Sequence, residues 1–273
     1  MEYKATKEHL DYLEDKYGIK IERIMPEKSV VTSCRQHGLP FINKTVSELI
    51  ARLQKHGFQW EDEPYDVLIQ KYPKCKSALK WWCNEYPKPS RFNIEYNHYL
   101  KEFLIAHPPT FAISNKCCYY AKKKVYMDFV QKNKCDLDCS GVRKAEGGVR
   151  SGRYKDCFSE HEKRSAKMPD GIARLRPAFW LTNADKVEYE QAYGIEHSRC
   201  YTEYGMTRTG CAGCPYNLHL KEDLQILKDY EPTLYKACMN VFGKSYEYTE
   251  EFHKFRAELK QKEKEERKAK KQL

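Results

Sequence analysis

The sequence predicts an α/β protein with a mainly parallel sheet, because short alternating segments follow longer segments of helical periodicity. Three stretches carry that reading. Thr6 to Tyr17 places Leu10, Tyr12, Leu13 and Tyr17 at helical spacing, Gly18 stops the helix, and Ile19-Lys20-Ile21-Glu22-Arg23-Ile24 alternates apolar and polar residues as a strand does. A helix from Cys117 to about Val130 precedes the strand-like Asp136 to Val142. The C-terminal part is helical throughout.

Between these stretches, Val46, Leu49, Ile50 and Leu53 predict a helix that Asn43 or Thr45 caps and Gly57 ends. Residues 60–109 are aromatic and punctuated by proline, with helices expected around Ser77 to Trp82 and Tyr96 to His107, and read as a helical insertion. An apolar run, Ile172 to Leu181, leads into Thr182-Asn183-Ala184-Asp185, a capping sequence for a helix over Lys186 to Tyr193. Residues 1–255 form the expected domain. Residues 256–273 form a basic, charged helical tail whose mixed charges suit a solvated face.

The chain has 273 residues, twelve cysteines and a formal charge of +10. No run approaches the ~20 apolar residues of a membrane span, and the first residues lack a signal peptide's apolar region, which predicts a cytoplasmic protein without a membrane partner. In a reducing compartment, twelve cysteines point to metal or redox chemistry rather than to disulfides. The positive charge favours a polyanion, whether a nucleotide, DNA or RNA.

Two cysteine pairs stand out. Cys117-Cys118 are adjacent, and Cys211-Ala212-Gly213-Cys214 is a turn whose small central residues let both sulfurs face one side. Four thiolates suit either a 4Fe–4S cluster or a zinc ion. Zinc generally takes ligands two or more residues apart, so the adjacent pair favours the cluster. Cys34, Cys75, Cys83, Cys157, Cys200 and Cys238 have no partner at ligand spacing and read as ordinary buried thiols. Between the pairs, Gly141 to Arg150 is a glycine-bearing basic loop in which Arg143 and Arg150 suit phosphate or sulfate oxygens.

Ser114-Asn115-Lys116-Cys117-Cys118 with Lys122, then Gly141 to Arg150, then Tyr204-Gly205 through Arg208 to Cys211-Ala-Gly-Cys214-Pro215 resemble the phosphoadenosine phosphosulfate (PAPS) reductase family. The match runs from Glu2 to about Phe255 and is closest to the adenylylsulfate-reductase-like branch that carries a 4Fe–4S cluster. The resemblance implies cluster ligation by Cys117, Cys118, Cys211 and Cys214, with zinc the alternative. Lys122 would lie between cluster and substrate. Arg143, Glu146 and Arg150, with Arg208, would handle the sulfate or phosphate end of an adenylyl nucleotide or sulfonucleotide, and Lys122, Arg143 and Arg150 would be the catalytic set.

The fold implied is a Rossmann-like adenine-nucleotide alpha-hydrolase type, N-terminally truncated, with the helical insertion and helical C-terminus. The family's Ser-Gly-Gly-x-Asp-Ser phosphate loop has no counterpart here, so Met1 is expected to be an internal methionine or the start of a shortened descendant. Nor is there a Glu-Cys-Gly tail, the last cysteine being Cys238. The resemblance therefore implies a metal centre more firmly than reductase or sulfur-transfer chemistry with a thioredoxin-like or sulfur-donor partner. From another class stands a non-enzymatic module, stapled by a four-cysteine metal site and binding nucleic acid.

Overall fold

A computed structural model describes residues 1–147, 152, 154–160 and 172–272. The chain divides into two compact units: Met1–Lys4, Glu27–Ala121 and Arg208–Leu273 in the first, Ala5–Pro26 and Lys122–Thr207 in the second. Among the described residues, no helix is long and apolar enough to cross a membrane.

The first unit is helical. Helix α2 (Val30–His37) starts at Ser29, whose side chain accepts the Thr32 N–H. Helix α3 (Lys44–Lys55) starts at Asn43, whose carbonyl oxygen accepts the Val46 N–H at 2.9 Å, and ends beside Gly57 at φ +70°. Both ends match the expected signals. Helices α4 (Tyr65–Lys71), α5 (Lys76–Trp82) and α6 (Leu100–Ala106) follow. They are not a peripheral insertion. Leu68, Leu79, Trp82 and Phe103 are fully buried in one core with Phe41, Ile50 and Leu53 of the α3 region and Phe252 near the C-terminus. Trp82 buries its indole and still satisfies its N–H on the Glu61 carbonyl at 2.8 Å.

A parallel bridge between Leu39 and Ile113 then delivers the chain to the first cysteine pair. Gly38 makes the bridge possible. Its φ is +105°, and a β-carbon there would stand 2.3 Å from the Ala112 carbonyl oxygen. The chain continues into α7 (Lys116–Cys118), packed against α2, and a π-helical turn, Tyr119–Lys124. After the second cysteine pair come α11 (Leu220–Tyr230) and α12 (Pro232–Gln272), which pack on each other, and α12 also packs on α6. Two further helices, α9 and α10, belong to the second unit and are described with it.

In the second unit, α1 (Lys4–Tyr17) and α8 (Val125–Lys132) are joined by a three-stranded sheet. The strands are β1 (Leu137–Cys139), β2 (Phe158–Ser159) and β3 (Ala173–Leu175), in the order β1-β3-β2. The β1/β3 pair is parallel and the β2/β3 pair antiparallel. A mixed sheet this small corrects the expectation of a mainly parallel one. Ile19 to Ile24 is also not a strand. Its polar positions are used locally instead: the Ile21 N–H donates to Glu14 Oε1 at 2.8 Å, and Arg23 pairs with Asp11 and Glu14.

Helix α9 (Asn183–Ala192) begins where the capping sequence predicts, with Thr182 and Asp185 bonding each other's backbone N–H. The short α10 (Arg199–Thr202) buries Cys200, and Ser198 Oγ donates to the Ala5 carbonyl.

Candidate metal centre

Both cysteine pairs belong to the first unit, and Cys214 of the second pair comes near Cys117 of the first. From α2, Cys34 presents a buried thiol within hydrogen-bonding reach of Cys117, and Cys118 reaches Cys117 from the next residue. Cys214 lies near enough to Cys117 to act on its charge. The Cys118 contact draws the Cys117 thiol pKa down. Hydrogen bonding to Cys34, burial and the nearby Cys34 and Cys214 sulfurs outweigh that and push it up to about 12. Cys117 is therefore a protonated, desolvated thiol until a cation replaces its proton.

The second pair sits on a pinned turn. The Cys214 N–H donates to the Cys211 carbonyl at 3.2 Å, and Gly213 adopts φ +59°. Three contacts hold the two residues between the cysteines: the Ala212 N–H donates to the Met1 carbonyl at 3.2 Å, the Cys238 thiol to the Ala212 carbonyl at 3.5 Å, and the Tyr246 hydroxyl to the Gly213 carbonyl. Cys238 is completely buried in α12, with its pKa raised to about 12 mainly by burial. It is a packing thiol, as expected, and not a nucleophile on a mobile tail.

Tyr216, two residues after Cys214, stands beside Cys117, Cys118 and Cys214. Its hydroxyl is buried beside Ser47 and makes no well-formed hydrogen bond among the described residues. Burial pushes its pKa upward. A phenol held protonated beside thiols is a donor waiting for sulfur-centred negative charge.

These features test the fit of a metal group. Among the described residues, no three His, Cys, Asp or Glu side chains converge as ligands of one ion. A zinc ion with sulfurs about 2.3 Å away would crowd its ligands together, whereas a multi-iron cluster takes one thiolate per iron and tolerates wider spacing. Cys117 lies within hydrogen-bonding reach of Cys34 and Cys118, with Cys214 near enough to act on its charge, and these thiols are the donor set from which either group would be built. Cys211, at the far end of the turn, is partly exposed.

Other expected residues are placed differently. Lys122 is exposed and belongs to the second unit. Arg143 is in that unit too, and its Nη1 donates to the Leu181 carbonyl at 3.4 Å, the Thr182 carbonyl at 3.0 Å and Asn183 Oδ1 at 3.2 Å. That guanidinium ties its loop to the start of α9. Glu146 Oε1 accepts the Arg143 N–H, which makes the loop a tight turn. Arg208 is exposed in the first unit, and Arg150 lies outside the described residues.

Sequence spacing missed Cys34 and Tyr216. Cys34 is followed three residues later by His37, a ligand-like spacing on one helix face, and Tyr216 follows the second pair directly. Compared with family models, curated proteins and solved structures, the chain matches none.

Proposed function

We propose that the chain carries a 4Fe–4S cluster on Cys117, Cys118, Cys211 and Cys214 and binds an adenylyl nucleotide or sulfonucleotide beside it, on a Rossmann-like frame akin to the PAPS reductases. The observation that supports this most is the approach of Cys214 to the Cys117-Cys118 pair, from segments far apart in sequence, around the buried Tyr216 hydroxyl. When bound, the cluster would supply a polarisable sulfur-rich face beside the substrate. The protein's own contributions are simpler. Cys34, Val30, Phe242 and Tyr246 exclude water from the Cys117 side. Tyr216 holds its proton on the phenolic oxygen, where it can donate to a cluster sulfur. Arg208, exposed in the same unit as the four cysteines, offers positive charge to an oxyanion.

Titration of anaerobically purified protein with adenylylsulfate and with its 3′-phosphorylated form tests the nucleotide half of this reading. Saturable binding of one, weakened about tenfold or more by Arg208→Ala, is the expected result. Binding of neither, with salt-sensitive binding of DNA or RNA, would overturn it in favour of a metal-stapled nucleic-acid module.

A further inference from the structure

A cavity of about 350 Å³ opens in the first unit between the start of α3 and the segment that precedes α6. Its wall contains Lys44 and Arg91, the polar side chains of Asn43, Thr45 and Asn97, and the rings of Trp81, Tyr96 and Tyr216. No acidic residue lines it. Neither Lys44 nor Arg91 enters an ion pair among the described residues. Two unmatched cations, neutral hydrogen-bonding groups and aromatic walls in one concavity are the complement of an anion attached to a planar ring.

We infer that this cavity is a binding site for a nucleoside monophosphate, with Lys44 and Arg91 on the phosphate and Tyr96 against the base. Arginine offers a fork for two phosphate oxygens and lysine a point charge. Tyr96, in the cavity wall, is exposed and offers a ring face on which a base can stack. The volume lies at the lower end of the range for small-molecule sites, which suits one phosphate, one sugar and one base and excludes a dinucleotide. Other concavities of the same unit are less selective. The larger groove beside the C-terminal helix mixes Glu95, Glu102 and Glu263 with its lysines, and the one around Cys83 is mainly acidic.

The site goes beyond the proposed cluster and stands independently of it, since its lining includes none of the cysteines and none of Lys122, Arg143 or Arg208. Tyr216 alone is common to both, its ring in the cavity wall and its hydroxyl beside Cys117, Cys118 and Cys214.

Calorimetric titration of the full chain, as purified, with adenosine 5′-monophosphate, adenosine and inorganic phosphate tests the inference. Saturable binding of the monophosphate is expected, at least about tenfold tighter than either fragment and weakened about tenfold or more in Lys44→Ala/Arg91→Ala. Both substituted side chains are exposed, so the melting temperature and metal content of that variant should match the wild type. Absence of monophosphate binding, equal affinity for phosphate alone, or unchanged affinity in the double variant would each overturn the assignment. Loss of binding in Arg208→Ala with unchanged binding in Lys44→Ala/Arg91→Ala would overturn the assignment and give the nucleotide to the proposed substrate site instead.

Discussion

At Gly213 the backbone adopts φ +59°, and a β-carbon there would stand 2.7 Å from both the Cys238 sulfur and the Tyr246 hydroxyl oxygen. Gly213→Ala should therefore cost about 1–3 kcal/mol, from overpacking and left-handed strain, and loosen the turn that carries Cys211 and Cys214. Denaturant unfolding and metal content read both effects; wild-type stability with full metal content would show that the turn tolerates a side chain. His37 gives a second residue-level test. Its ring stacks on Tyr120, and burial, then Lys28 and Lys116, push its pKa below the ordinary histidine range. The unfolded chain takes up a proton near about pH 6.5 while the folded chain resists it, so stability is complete above that value and falls as the pH drops through it. His37→Phe keeps the stacking and removes the titration, and should lose less stability between pH 7.5 and 5.5 than the wild type. An equal loss would rule out His37 as the source. At this scale the small residues of the Cys211–Cys214 turn were legible, because only chain geometry was needed. The positions of Cys34 and Tyr216 were not, since their neighbours come from segments distant in sequence.

Among the elements, local signals worked where the chain satisfies itself locally. Asn43 and Thr182 start α3 and α9 as the sequence indicates, because each cap needs only the following three residues. Thr182→Ala breaks a reciprocal cap on an exposed helix and should cost about 0.5–2 kcal/mol by denaturant unfolding; a change below that range would mean that the Arg143 contacts at Thr182 and Asn183 hold the helix start unaided. The alternation of Ile19 to Ile24 misled because two-residue periodicity says nothing about a pairing partner. Glu14 and Asp11 engage that segment through side chains instead. The parallel Leu39–Ile113 bridge, conversely, has no periodic signal at all, being a single pair set by the backbone freedom of Gly38.

For the whole molecule, the helical character of residues 60–109 was readable from spacing, but their role was not. Trp81, Trp82 and Phe103 are the centre of the first unit's core rather than an appendage. Trp82→Ala should cost about 3–5 kcal/mol and lower cooperativity in thermal unfolding, whereas a small effect would make the segment a dispensable insertion after all. The proposed metal centre would tie the same unit together through a different set of residues. A cluster ligated from both cysteine pairs would link segments on either side of the entire second unit's 122–207 stretch, so its binding free energy is folding free energy. Cys211→Ser should then lower both metal content and melting temperature together. The most direct measurement is the iron, acid-labile sulfide and zinc content of anaerobically purified protein, read with its visible spectrum. About four irons and four sulfides per chain with broad visible absorption, lost in Cys117→Ser, is the result predicted; colourless protein with one zinc per chain would contradict the account.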